Sequence, residues 1–107
     1  DEPPRCHCGS PIRPDIVWFG EPLPEAEIEC AFNETARCDL CLIVGTSGVV
    51  QPAAFLPSVA KRAGAKLIEV NVAHSEITPV VDIFFQGKAG EVLPPLVENV
   101  KKFLAQR

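Results

Sequence analysis

The sequence predicts an α/β fold built on a parallel sheet, and three observations carry that expectation. Short apolar runs of strand length recur at residues 39–44, 66–70 and 82–85, segments of helical periodicity lie between and after them, and the runs stop at glycine, asparagine or glutamine-glycine. With 107 residues the chain accommodates one such domain, with a modest core. A domain of about 100 residues buries only roughly two thirds of the surface that its unfolded chain exposes, so a metal or a partner adds support at this size.

The elements follow in order. The chain opens without Met on Asp1-Glu2-Pro3-Pro4 and runs straight into Cys6-His7-Cys8-Gly9, which is the look of an excised or processed piece. Pro11 and Pro14 bracket Ile12-Arg13, and Ile16-Val17-Trp18-Phe19 reads as a strand-like segment entering a loop at Gly20-Glu21-Pro22. From Pro24 to about Thr35 the pattern is an amphipathic helix, with a proline near its start, acids in its first turn, and Ile28 and Phe32 four apart. The continuous run at 39–44 reads as a strand buried on both faces of a parallel sheet. A helix is expected from about residue 52 to 63, ended by Gly64, then a strand at 66–70 stopped at Asn71 and another at 82–85 stopped at Gln86-Gly87. From 91 to about 105, Val92, Leu96, Val100 and Phe103 share one helix face, with Pro94 and Pro95 placed in its first turn. Each crossover between parallel strands is expected to be right-handed.

Charge and hydropathy remove whole classes of function. The formal net charge is −4 and the ten Lys and Arg are scattered, so there is no basic stripe to neutralise phosphates and no nucleic-acid partner is expected. No apolar run approaches the roughly 20 residues that span a bilayer, and the first residues are unlike a signal peptide. A soluble, cytoplasmic protein without a membrane partner is the expectation.

Five cysteines, an odd number, argue against a disulfide framework. Cys6 and Cys8 flank His7 and are followed by Gly9, so a tight turn can point backbone N–H groups at thiolate sulfurs, which is half of a four-ligand zinc site. His7 is wedged between the two thiols and has little room to bind the same ion. Cys38 and Cys41 have metal-ligand spacing, but they open an apolar run, where cysteine behaves as a small hydrophobe. Cys30, in the helical segment before them, is read as inert.

In an open parallel sheet, ligands bind beyond the carboxyl ends of the strands. Three loops there carry small or polar residues: Gly45-Thr46-Ser47-Gly48, the segment beginning at Asn71, and Gly87-Lys88-Ala89-Gly90. Glycines permit close backbone approach, and hydroxyls ahead of a helix suit ribose or phosphate. Neither a Gly-x-Gly-x-x-Gly fingerprint nor a phosphate-binding Gly-Lys-Ser/Thr loop is present, so this chain is expected to supply half of a dinucleotide crevice.

Taken together, Cys6-His-Cys-Gly, Arg13-Pro-Asp-Ile-Val-Trp-Phe-Gly-Glu21, Gly45-Thr-Ser-Gly-Val-Val50 with Pro52-Ala-Ala54, and Val70-Asn71 resemble the C-terminal half of a sirtuin. The resemblance runs along almost the whole chain and has the flavour of bacterial and archaeal members of the desuccinylase-related class. It implies an NAD-dependent protein-lysine deacylase with a Rossmann-like domain and a small zinc-binding module. Residues 1–22 match the second half of that module with the substrate-strand loop, and 23–107 the C-terminal half of the NAD-binding domain.

Carried over residue by residue, the resemblance makes Cys6 and Cys8 the second pair of structural zinc ligands. Gly45, Thr46 and Ser47 match the loop at the ribose and phosphate of NAD, Asn71, Val72 and Ala73 the segment at the adenine ribose, and Ala89 the position beside adenine. Val17 and Phe19 match the lining of the acyl-lysine tunnel, whose aliphatic occupant needs desolvated walls; a core strand is the competing reading, to which Trp18 also belongs. Gly20-Glu21 and Gly48-Val49-Val50 match the segments between which an acylated substrate peptide is laid as an added strand, recognised by main-chain hydrogen bonds. In the family the amide oxygen of the acyl-lysine attacks the nicotinamide ribose carbon, nicotinamide leaves, and a histidine deprotonates a ribose hydroxyl to move the acyl group on.

That histidine, the Gly-Ala-Gly-x-Ser loop, the Asn-x-Asp segment and the first cysteine pair match nothing in this sequence and lie upstream in the family. Neither His7 nor His74 has the family's His-Gly context, so no catalytic residue is assigned. The resemblance therefore implies a chain inactive alone, working with its missing N-terminal half or another chain. The alternatives are a non-enzymatic nucleotide-binding or interaction module derived from a sirtuin, and an unrelated α/β reductase half that leaves the Val-Trp-Phe-Gly-Glu and cysteine matches unexplained.

Overall fold

The computed structural model describes residues 2–106. Its centre is a three-stranded, all-parallel sheet in the order β1 (Leu40–Val44), β2 (Lys66–Asn71), β3 (Ile83–Gln86), a Rossmann-like arrangement in which β2 is central. Leu40 pairs with Lys66 and Val44 with Val70, while Ile68 pairs with Ile83 and Asn71 with Gln86. Helix α1 (Glu25–Thr35) precedes β1, α2 (Leu56–Arg62) links β1 to β2, and α3 (Ala89–Ala105) follows β3.

Side chains alternate across a strand, so Cys41 and Ile43 share a face with Leu67 and Glu69. That face is covered: Ile43, Leu67, Ala60 of α2, Ala65 and Ile77 form the buried cluster, with Cys38, Cys41 and Val81 packed against it. Cys38 and Cys41 thus behave as small hydrophobes, as their apolar context predicts, and burial beside Cys38 pushes the Cys41 thiol up. Cys30 lies exposed on α1.

Four expectations are corrected. The run at 39–44 is not buried on both faces: β1 is an edge strand, and Leu40, Leu42 and Val44 on its second face stay exposed, because no described element packs over them. Residues 16–19 form no strand. Prolines at 11 and 14 offer no N–H to a ladder, the only bridge nearby among the described residues is Arg5 with Pro11, and the chain turns at once through Glu21 N–H to Trp18 C=O. The helix expected over 52–63 is split into a 3-10 turn (Ala53–Phe55) and α2, with Pro57 buried in its first turn. Helix α3 starts at Ala89, capped by Lys88 in extended geometry, so Pro94 and Pro95 fall in its second turn and not its first.

The ends of the crossovers are positioned by local bonds. Gly64, at φ +95°, ends α2 with its N–H donating to Lys61 C=O, the left-handed stop that glycine permits. Asp82 leads into β3 and exchanges two bonds with β2: Leu67 N–H donates to Asp82 Oδ2 at 2.8 Å, and Asp82 N–H to Leu67 C=O at 2.9 Å.

Candidate functional site

Two grooves lie on either side of the segment after β1. The polar one, about 490 Å³, is lined by Gly45, Thr46, Ser47, Val49, Asn71, Ala73, His74, Ser75 and Glu76. It sits beyond the carboxyl ends of β1 and β2, where the strand-end rule places ligands. Gly45 takes φ +67° and a side chain there would meet open space, so the backbone is bare toward the groove.

The two loops of this groove are tied together. Asn71 Nδ2 donates to Thr46 C=O at 2.9 Å, and Asn71 Oδ1 accepts from Val72 N–H at 2.9 Å. Glu76 N–H donates to Ser47 C=O at 3.2 Å, and Gly48 N–H to Thr46 Oγ1 at 3.2 Å. Gly48, at φ +77°, passes so close to Ile77 that a Cβ would sit 2.7 Å from Ile77 Cγ1. The third loop joins the second through Gly87 N–H to Asn71 C=O at 2.9 Å.

The apolar groove, about 920 Å³, is lined by Ile16 through Leu23, Ile28 and Val50 through Ala53. Trp18 is half-exposed and Phe19 is 97% exposed. Arg13 holds this loop from three sides: its guanidinium pairs with Glu21 Oε1 at 2.7 Å, donates to Ile16 C=O at 3.2 Å, and lies 4.5 Å from the centre of the Trp18 ring.

At the amino end, residues 4–12 fold into a knuckle. Cys6 N–H donates to Ser10 C=O, Gly9 N–H to Cys6 C=O, and Arg5 Nη1 to Gly9 C=O. The Cys8 thiol is pushed down to about 7, first by the Ser10 hydroxyl, then by the Ser10 N–H and the neighbouring Cys6. Thiolate character is what a zinc ligand needs, so this donor pair fits half of a four-ligand site. Among the described residues no third His, Cys, Asp or Glu joins them.

The positions singled out from sequence therefore sort as follows. Gly45, Thr46, Ser47, Asn71 and Ala73 converge on the polar groove with Val49, while Val72 is exposed beside it and Ala89 opens α3 outside its lining. Val17, Phe19, Gly20, Glu21 and Val50 line the apolar groove, and Gly48 stands between the two. Sequence reasoning passed over Trp18, Ile28, His74, Ser75 and Glu76 as lining residues. It also passed over Glu69, fully buried beneath the polar groove. The signal for Glu69 was available: an acid two positions from Leu67 in an alternating strand points into the core.

Burial alone would push the Glu69 carboxyl up, yet hydroxyl donation from Ser75 and Thr78, the Asn71 amide and the nearby His74 hold it below the usual carboxylate range. His74 itself stacks on Phe84, with ring centroids 4.8 Å apart.

Comparison with known proteins adds the following. The Sir2 family model matches residues 1–52. An NAD-dependent protein deacylase of Thermococcus kodakarensis is 56% identical over 99% of this chain and 42% of its own length. A mutant Sir2 homologue in complex with ADP ribose superposes with a TM-score of 0.89 at 46% identity, over 97% of this chain and 42% of its own. A Sir2 protein bound to a myristoylated histone peptide gives 0.86 at 48% identity, over 97% and 45%. The chain thus spans about two fifths of the length of the relatives it matches.

Proposed function

The chain belongs to the Sir2 family, and from that premise we propose that it supplies the C-terminal part of the working site of an NAD-dependent protein-lysine deacylase, of deacetylase or desuccinylase type. The observation that carries the reading is the adjacency of the grooves. Val49 lines the polar groove and Val50 the apolar one, so one step along the chain separates a place for a nucleotide from a place for an aliphatic stem.

In this reading Gly45, Thr46 and Ser47 take the ribose and phosphate region, with bare backbone and hydroxyls aimed at oxygen-rich groups. Asn71, Val72 and Ala73 lie toward the adenine ribose and Ala89 toward adenine. Val17 and Phe19 desolvate the acyl-lysine stem, and Gly20, Glu21, Gly48, Val49 and Val50 present main chain to the substrate peptide. When bound, NAD would supply a ribose carbon that can take the acyl oxygen as its bond to nicotinamide breaks. Cys6 and Cys8 hold structural zinc as half of its ligand set, in a module spanning residues 1–22, with 23–107 belonging to the NAD-binding domain.

The support is convergence. The relatives include a Sir2 homologue with ADP ribose and one with an acylated histone peptide, and the two grooves have the chemistry that those two ligands require.

The test is a native mass spectrum of the natural-length gene product with and without NAD, followed by incubation with acetyl-, succinyl- and myristoyl-lysine peptides. The expected result is a zinc-bearing protein that binds NAD and removes an acyl group only when NAD is present. Nucleotide binding without acyl removal favours a non-enzymatic module, and the absence of both sinks the reading.

A further inference from the structure

We propose that Glu69 is a positioning residue for the polar groove, a buried carboxylate that locks its two loops into one rigid cradle for the ADP-ribose portion of the cofactor. This rests on the reading of that groove as the nucleotide site.

Glu69 is 0% exposed at a core position of β2, on the face it shares with Leu67. An acid there costs stability unless its lone pairs are filled. No salt bridge reaches it among the described residues, yet its oxygens are well supplied. Oε2 accepts from Ser75 Oγ at 2.5 Å and from Asn71 Nδ2 at 3.4 Å, and Oε1 accepts from Thr78 Oγ1 at 2.5 Å.

Each hydroxyl has a single hydrogen, which goes to the carboxylate, so each oxygen is left as an acceptor for the loop backbone. Ser75 Oγ accepts from Ile77 N–H at 3.1 Å, and Thr78 Oγ1 from Ser75 N–H at 2.8 Å. The third donor, Asn71, hands the constraint to the other loop through Thr46 C=O. One carboxylate therefore fixes residues 75–78 directly and residues 45–47 through Asn71. Ser75, which it holds, also takes the N–H of Ile77, against which Gly48 closes.

An acceptor-only group takes all three donors at once with no hydroxyl having to turn. Glutamine keeps the shape but turns an NH2 toward a donor. Leucine suits the burial but releases every partner, and an apolar residue at this position packs well with Leu67.

The test uses the natural-length gene product. Glu69→Gln is expected to raise the Kd for ADP-ribose about tenfold, the effect of one misdirected buried hydrogen bond. KM for NAD should rise with it while kcat at saturating NAD and KM for the acyl-peptide stay within about twofold. A triple variant, Glu69→Leu with Ser75→Ala and Thr78→Val, removes the carboxylate and its two hydroxyl donors; the Ser75 and Ile77 N–H groups lose their acceptors and Asn71 keeps only Thr46 C=O, so this variant is expected to melt below wild type, to stay folded and to bind ADP-ribose weakly. An ADP-ribose Kd within about twofold of wild type in either folded variant overturns the inference. If the wild-type protein binds no ADP-ribose, the nucleotide reading of the groove falls. Amide hydrogen exchange at residues 46–48 and 72–77 then decides the loop-locking role of Glu69: faster exchange in Glu69→Gln upholds it and unchanged exchange overturns it.

Discussion

Gly45, which lines the polar groove, and Gly48, between the two grooves, differ in what they tolerate, although both adopt positive φ. Gly45 faces open space, so Gly45→Ala carries only the left-handed backbone penalty of about 1 kcal/mol. Gly48 faces Ile77 at 2.7 Å with the Ile77 backbone nitrogen at 3.3 Å, so Gly48→Ala must also displace a packed side chain, and a total of about 2–3 kcal/mol is expected. Urea unfolding of the two variants checks the difference, and equal costs would contradict the close approach. Arg13 acts through shape rather than stability. Its pair with Glu21 is solvent-exposed on both sides, a kind worth about 0–1 kcal/mol, so Arg13→Ala should lower stability by about 1 kcal/mol or less. The same change strips the cation from Trp18, the only tryptophan, and should shift its emission to longer wavelength and, on the function proposed above, weaken acyl-peptide binding. Unaltered emission and peptide affinity would remove Arg13 from the account of the loop.

At the level of elements, β2 and β3 are joined at their entry by Asp82 as well as by their ladder. Leu67 N–H, donating to the Asp82 carboxylate, holds it below its ordinary value; some desolvation opposes this, and Lys66 and Lys61 add to the lowering. A carboxyl with a lowered folded-state pKa binds protons more weakly folded than unfolded, so stability rises with pH across its titration. The contribution is fully present above the unfolded value near about 4 and is lost as pH falls through the lower folded value. Glu69 acts in the same direction. Denaturant unfolding between neutral pH and about pH 3 should therefore show stability falling in the acid range, with a shallower fall in Asp82→Asn; identical slopes would exclude the carboxylate as the cause. The edge strand β1 tells a different story, because Leu40, Leu42 and Val44 are apolar in sequence yet exposed. An uncovered, apolar strand at a sheet edge invites pairing with another chain.

The whole molecule is elongated, 56 × 29 × 29 Å with a radius of gyration of 17.9 Å, where a compact domain of this length has about 13 Å. The cause is visible in the burial pattern: of residues 2–22, every one is exposed, so the cysteine knuckle and the apolar loop have no core beneath them. Val97, Val100, Phe103 and Leu104 of α3 add a further exposed apolar face. Surface of this kind marks an interface. The 107-residue chain by itself is expected to associate or to show poor solubility, which sedimentation velocity reads directly; a clean monomer across micromolar concentrations would show that these faces tolerate water.

The sequence by itself determined the elements whose pattern is local. Ile28 and Phe32 mark the half-buried side of α1, Gly64 the stop of α2, and the apolar runs the strands, because periodicity, caps and turn residues act over a few positions. It also placed the three strand-end loops on one edge, since parallel alternation dictates that edge. What only the tertiary structure decided depends on contacts between distant residues. Residues 16–19 look like a strand, but a ladder needs a neighbour and the fold provides none. The run at 39–44 looks buried on both faces, but burial is set by what packs on it. Alternation with Leu67 turns Glu69 inward, but only the folding of Ser75 and Thr78 over β2 gives its carboxylate the donors that make burial possible.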